Sequence, residues 1–245
     1  MKLLQRNVSR ETFPSRLIVV ATGTNVGKTH TALSLIHAAT ALGIPVAGLK
    51  PIESGILSSG SSDFGRLSAT STFHVKPPPY AFPDPVSPHL AARRAETSIS
   101  LRTVQRWVDA HRGPCIIETA GALLSPLAKG VTNLDLLAAL LPAHVVLVAP
   151  DRLGVLHDVG ACQLALRALM RQEVVVALQP PESPDPSSGT NAEELRYLSI
   201  ACTVIQYPRA DCASPASLQA AMALLEFLRT AAPSKARKPP RRKPP

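Results

Sequence analysis

Residues 21–29 read Ala-Thr-Gly-Thr-Asn-Val-Gly-Lys-Thr, directly after the apolar run Leu17-Ile18-Val19-Val20 and directly before a helical pattern over 28–42. A buried-type strand, a loop ending in Gly-Lys-Thr and an amphipathic helix make the corner that binds phosphate. Loop N–H groups can point at phosphate oxygens, a lysine can reach the terminal phosphates, and a hydroxyl can hold magnesium. The dipole of the following helix favours the same anion. Thr24, Asn25, Val26, Gly27, Lys28 and Thr29 are therefore the candidate nucleotide-binding residues. The spacing departs from the strict motif, which wants a glycine five residues before Gly27, where this chain has Thr22; a loop one residue longer wants it at Ala21.

The same alternation continues along the chain. Short Val/Ile/Leu runs at 17–21, 45–49, 115–118, 144–149, 174–178 and 203–206 are separated by helical patterns at 28–42, 101–110, 133–140, 154–171, 191–200 and 217–229. Continuous apolar strands divided by helices predict an α/β fold: a single P-loop NTPase-like domain with a mostly parallel sheet flanked by helices on both faces. Ligands in such sheets sit at the carboxyl ends of strands. That edge would gather the phosphate loop, then Lys50-Pro51-Ile52-Glu53-Ser54-Gly55, then Glu118-Thr119-Ala120-Gly121-Ala122, then Pro150-Asp151-Arg152-Leu153-Gly154. Two Pro/Ser-rich stretches, 58–88 and 180–189, are too long to be simple connections; such loops serve as binding segments or lids, or stay disordered.

Charge must be located before it is interpreted. The chain carries 26 basic and 17 acidic residues, a net charge of +9. Six of the basic ones, Lys235, Arg237, Lys238, Arg241, Arg242 and Lys243, lie in a Pro-rich tail without acids, so the remainder is nearly neutral. With aromatic residues at 4%, few side chains are available for base stacking, and no specific nucleic-acid partner is expected. The expected organisation is an N-terminal extension over 1–15, one domain over 16–230 and a disordered basic tail over 231–245. Four dispersed cysteines, Cys115, Cys162, Cys202 and Cys212, argue against a zinc site or a disulfide framework. No run is long enough to span a bilayer, and the first fifteen residues lack an apolar signal core, so a cytoplasmic location is expected.

Phosphate chemistry needs cations at the phosphoryl group and a magnesium held by a hydroxyl and carboxylates. Lys28 and Thr29 supply the first half of each requirement. Glu118 ends an Ile-Ile strand, where a partly buried carboxylate would want a cation. Asp63 opens a helical patch and is equally well read as a first-turn acid. Lys50 ends an apolar strand before Pro51 and could reach across to phosphate, although a surface lysine is the ordinary explanation for such a position.

Taken in order, these segments resemble the dethiobiotin synthetases of biotin biosynthesis. The loop over 22–29 resembles that family's Gly-Thr-Asp-Thr-x-Val-Gly-Lys-Thr, and Lys50-Pro51-Ile52-Glu53-Ser54-Gly55 resembles its Lys-Pro-(Val/Ile)-x-Ser-Gly. Residues 80–90, with Pro85 and Ser87-Pro88-His89-Leu90, are similar to its Tyr-x-Phe-x-x-Pro-x-Ser-Pro-His stretch, and Ile117-Glu118-Thr119-Ala120-Gly121 to its Val-Glu-Gly-Ala-Gly. Leu153-Gly154 matches a Leu-Gly before a helix. The resemblance covers roughly 16–230 and implies a homodimeric ligase using ATP and Mg2+. In that family 7,8-diaminopelargonic acid takes up CO2 as a carbamate, the carbamate attacks the γ-phosphate of ATP, and ring closure yields a cyclic urea. Carried over by motif, Lys28 and Lys50 are the catalytic cations, and Thr29, Asp63 and Glu118 the metal ligands. Thr24 and Ser54 orient substrate.

Ala21, Gly23, Thr119 and Ala122 replace, in turn, a Gly, an Asp and two further Gly of the family pattern. Leu156-His157-Asp158 stands for Ile-Asn-His, which makes His157 a helix-surface residue. Leu178-Gln179-Pro180 stands where an Asn-containing turn reads the purine. Ala122 would be costly if its backbone required φ > 0. These substitutions leave room for a degenerate nucleotide-binding paralogue. A partition-type ATPase is a further alternative, but it would carry an additional early loop lysine and would not explain Lys50-Pro51.

Overall fold

The computed structural model describes residues 13–56, 62–170, 174–231 and 233. Most of the N-terminal extension and nearly all of the basic tail, as delimited above, therefore lie outside the described residues.

The first half runs β1 (Arg16–Ala21), α1 (Lys28–Ala41), β2 (Ala47–Leu49), β3 (Ile52–Ser54), α2 (Asp63–Thr70), β4 (Tyr80–Phe82), α3 (Pro88–Arg94), α4 (Leu101–Asp109) and β5 (Cys115–Glu118). The second half runs β6 (Pro126–Ala128), β7 (Val131–Thr132), α5 (Asn133–Leu140), β8 (His144–Pro150), α6 (Val155–Leu169), β9 (Val175–Gln179), α7 (Asn191–Tyr197), β10 (Val204–Gln206) and α8 (Pro215–Thr230). All six strands and all six helices expected from the sequence form, with ends shifted by a few residues.

Six strands make one parallel sheet in the order β10-β9-β8-β1-β5-β2. The central strand β1 pairs on one side with β5, Ile18 opposite Ile117, and on the other with β8, Ile18 opposite Val145. Alternate side chains enter opposite cores. Leu17, Val19 and Ala21 pack with α1 and α8, whereas Ile18 and Val20 face the layer of α4, α5, α6 and α7. Burial on both faces is why β1 shows no polar alternation in sequence, each such side chain contributing about 1.5–3 kcal/mol. Local signals set helix starts: Ser214 caps α8 ahead of Pro215, and Thr132 with Asp135 forms a capping box on α5.

Composition alone does not show how the two long stretches are held. The one over 58–88 holds α2 and β4, and β4 pairs in parallel with β3, Ile52 opposite Tyr80. Leu67, Val75 and Phe82 are buried there, and this apolar area anchors a segment that composition alone describes as loop. The stretch over 180–189 is strapped to the end of β8. Asp151 accepts from the Gly189 N–H (2.8 Å) and the Asn191 amide (2.7 Å), while Asp185 accepts from the Leu153 N–H (2.8 Å).

Candidate active site

The loop after β1 makes its turn with Asn25 at φ 57° and Gly27 at φ 93°, and α1 begins at Lys28. The Lys28 ammonium lies within this loop and donates to the Gly23 carbonyl (3.1 Å). Burial pulls its pKa down to about 8; Lys50 adds to that effect, while Glu118 and Asp63 oppose it.

Four elements bring charge to the same point. Lys50, after β2, donates to Asp63 at the start of α2 (2.6 Å) and to Glu118 at the end of β5 (2.6 Å). Thr29 Oγ1, in the first turn of α1, donates to the same Glu118 Oε1 (3.0 Å). Lys50 and Glu118 are 5% and 1% exposed, a desolvated pair in which opposite charges offset the cost of burial. Burial disfavours the Lys50 ammonium, but the two carboxylates overcome it and hold its pKa above the ordinary lysine value. Burial would likewise raise the Asp63 carboxyl, and Lys50 outweighs it and keeps Asp63 ionised to lower pH.

Thr29, Asp63 and Glu118 offer a hydroxyl and two carboxylates, the donor set of a hard divalent cation. Glu118 Oε2 is buried without a hydrogen-bond partner, which leaves a lone-pair site for such an ion. Among the described residues no group of three or more His, Cys, Asp or Glu side chains is spaced to hold a metal, so an ion here would also need phosphate oxygens or water.

The charged cleft has a volume of about 370 Å3 and is lined by Thr24, Asn25, Gly27, Lys28, Thr29, Lys50, Ser54, Asp63 and Glu118, together with His30, Glu53, Arg66, Ala120 and Gly121. Nearly all the expected site residues meet here. Val26 instead lines a second cleft of about 690 Å3 that shares Thr24, Asn25, Gly27 and His30 with the first. Ser54 is turned back to the Val86 carbonyl (2.7 Å).

The second cleft continues past Pro150 and Arg152 to Gln179, Pro180, Pro181, Glu182 and Ser183, and is closed by Pro208, Arg209 and Ala210. Arg209 ties its walls together by donating to the carbonyls of Pro181 and Glu182, and His30 Nε2 donates to the Ala210 carbonyl (2.9 Å). Gln179 is drawn beneath the phosphate loop: its amide donates to Thr31 Oγ1 (2.8 Å), and a Cβ at Gly27 would lie 2.6 Å from its Cγ.

The substituted glycine positions are unstrained. Among the described residues the non-glycine residues at positive φ are Asn25, Glu96 and Ser199, so Ala21, Thr119 and Ala122 adopt backbone open to any residue. The left-handed position of the loop after β5 is Gly121, at φ 76°, which this chain retains. Thr119 satisfies its hydroxyl on the Val19 carbonyl (3.2 Å), and Ala21 lies inside β1. His157 is exposed on α6, as expected.

Glu53 was not singled out in sequence. It is 6% exposed and its carboxylate accepts the N–H groups of Asp63 (2.6 Å) and Phe64 (3.1 Å). Burial raises its pKa, with Lys50 and the two N–H groups opposing. Its signal was a carboxylate three residues after Lys50 at an apolar strand end. Arg66, Arg152 and Arg209 carried no comparable signal.

A family model described as an AAA domain matches residues 15–199. The chain is 38% identical over 193 residues to the ATP-dependent dethiobiotin synthetase BioD of Anaeromyxobacter dehalogenans strain 2CP-1, an alignment spanning 75% of this chain and 85% of the relative. It is 35% identical over 182 residues to the BioD of Caulobacter sp. strain K31, spanning 69% of this chain and 78% of that one. Among solved structures, the signal recognition particle receptor FtsY of Elizabethkingia anophelis matches with a TM-score of 0.54 at 18% identity, over 93% of this chain and 70% of FtsY. That likeness concerns the fold alone.

Proposed function

The chain belongs to the dethiobiotin synthetase family, and from that premise we propose that it catalyses the Mg2+- and ATP-dependent closure of 7,8-diaminopelargonic acid and CO2 to dethiobiotin. The observation that carries this reading is the meeting of Lys28, Thr29, Lys50, Asp63 and Glu118, from separate elements, in one cleft at the strand ends. Such a set suits phosphoryl transfer, in which protein groups position the reactants and balance charge.

Residues 24–29 would hold the triphosphate, Lys28 would meet the charge of its terminal phosphate, and the proline-lined cleft would take the nucleoside. Thr29, Asp63 and Glu118 would hold Mg2+, whose charge offsets that of the phosphate oxygens. Lys50, whose ammonium contacts both the Asp63 and Glu118 carboxylates, balances negative charge on the carbamate as its oxygen bonds to the γ-phosphorus and ADP leaves. The second amine of the substrate then bonds to the carbamoyl carbon, the C–O bond breaks, and inorganic phosphate departs. Thr24 and Ser54 line the space for the substrate chain. A homodimer in the cytoplasm is the assembly and location we assign; among the described residues no helix is long and apolar enough to cross a membrane.

The test is incubation of purified protein with diaminopelargonic acid, bicarbonate, Mg2+ and ATP, with detection of the cyclic urea by mass. Product formed with one phosphate per turnover supports the reading. Nucleotide binding without product would instead favour a nucleotide-binding module of the same fold.

A further inference from the structure

We propose that Glu53 is a positioning residue of this site: it fixes the start of α2 so that the Asp63 carboxylate is held at the point where Lys50 and Mg2+ meet it. The inference deepens the synthetase reading and rests on it. Position 53 is the variable residue of the Lys-Pro-Ile-Glu-Ser-Gly segment, so the family pattern assigns it nothing.

The geometry is a two-point clamp. Asp63 is gripped at its backbone N–H by Glu53 Oε1 (2.6 Å) and at its side chain by Lys50 (2.6 Å), and both partners come from the one short segment that includes β3. The other carboxylate oxygen of Glu53 takes the Phe64 N–H (3.1 Å), and Ser62 Oγ takes the Gly65 N–H (2.9 Å). The first three N–H groups of α2, which have no partner within the helix, are thus all satisfied. Asp63 is the most solvent-accessible member of the charged cluster, its side chain 38% exposed against 6% for Lys50 and 1% for Glu118. It gains least from packing and depends most on how its helix is held. Both oxygens of Glu53 act as acceptors, so an amide at this position would set an NH2 group against one of two N–H donors.

The experiment compares Glu53→Ala and Glu53→Gln with the parent protein. A displacement of about 1 Å in a charge of this kind costs on the order of 100-fold in turnover. Accordingly kcat of Glu53→Ala falls about 30-fold and the Mg2+ concentration for half-maximal rate rises about tenfold, with KM for ATP within about twofold. Glu53→Gln, which keeps the volume and one acceptor, falls between the two and serves alone if the alanine variant does not fold. ADP affinity measured without Mg2+ stays within about twofold, because the phosphate loop is untouched. Unchanged kcat and Mg2+ requirement overturns the proposal, and so does a loss of Mg2+-free ADP binding as large as the loss in kcat. If the parent protein forms no cyclic urea, the synthetase reading fails separately. The ratio of affinities for a non-hydrolysable ATP analogue with and without Mg2+ then reads Asp63: a tenfold smaller ratio in the variants supports the clamp, and an equal ratio rejects it.

Discussion

The two clefts that meet at Thr24, Asn25, Gly27 and His30 are built differently. In the charged cleft, side chains from the ends of separate elements hold one another: Lys50 bridges Asp63 and Glu118, and Thr29 joins Glu118. In the proline-lined cleft, side chains are tied instead to backbone carbonyls, Arg209 to those of Pro181 and Glu182 and His30 to that of Ala210. Under the proposed function the contrast separates two tasks. Stabilising a phosphoryl group demands fixed charges in a water-poor setting, whereas holding a nucleoside needs shape and can tolerate changes of side chain.

The strongest way to break this division is to remove a charge. Lys28→Ala and Lys50→Ala are each expected to lower phosphate release by about 1000-fold, comparable to losing a main electrostatic stabiliser. Lys50→Ala also strands two carboxylates and should reduce unfolding stability by roughly 3 kcal/mol in a denaturant titration. Turnover within tenfold of the parent would remove that lysine from the mechanism.

Gly27→Ala probes the seam between the clefts. It combines left-handed backbone, costing about 1–2 kcal/mol, with a Cβ that meets Gln179. Nucleotide affinity by calorimetry should fall at least about tenfold. Adding Gln179→Ala should recover only the steric part.

The charged cleft should also respond to pH where the other does not. With a pKa near 8, Lys28 is largely protonated at neutral pH and loses its charge as pH rises through that value, while bound phosphate would keep the proton on. Metal-free ADP affinity should therefore fall by about tenfold between pH 8 and pH 9.5, with proton uptake on binding. The folding linkage has the opposite sense: the folded protein binds fewer protons than the unfolded chain between about 8 and the ordinary value of 10.5, so Lys28 disfavours folding most when charged, and its contribution to stability rises with pH over that range. A flat affinity profile would mean that another cation carries the contact.

Arg209→Ala loosens the proline-lined wall alone. ATP affinity is expected to fall about threefold to tenfold, with tripolyphosphate affinity unchanged. Equal losses for both ligands would merge the clefts into one functional unit. The smallest effect is reserved for removing the tail over 231–245: every residue lining either cleft lies between Thr24 and Ala210, so turnover should stay within experimental error.

The charged cleft was largely legible in sequence because its residues sit at strand ends, where an apolar run stops at a polar side chain. Lys50, Glu118 and the loop through Thr29 all follow that rule. The proline-lined cleft was legible only in part: the stretch from Gln179 through 189 stood out, but Arg152 and Arg209 did not, because arginines in connecting segments look alike whether they face a cleft or solvent. In sequence Gln179 is only a departure from the family pattern; its bond to Thr31 depends on β9 and the helix after β1 being brought together across β8. The sequence leaves the cost of glycine replacement open for a related reason. The motif marks where glycines recur, but only the backbone distinguishes Gly121, at φ 76°, from Ala122, which needs no such freedom.

By itself, the sequence determined the layered α/β architecture and the phosphate corner, because period, strand length and a Gly-Lys-Thr turn are local properties carried by adjacent residues. Tertiary structure alone decided that Lys50 would bridge Asp63 and Glu118, that Glu53 would hold the start of α2, and that Gln179 would brace the phosphate loop. Those contacts join residues 10 to 148 positions apart, and they exist only because parallel strand pairing brings separate strand ends to one edge.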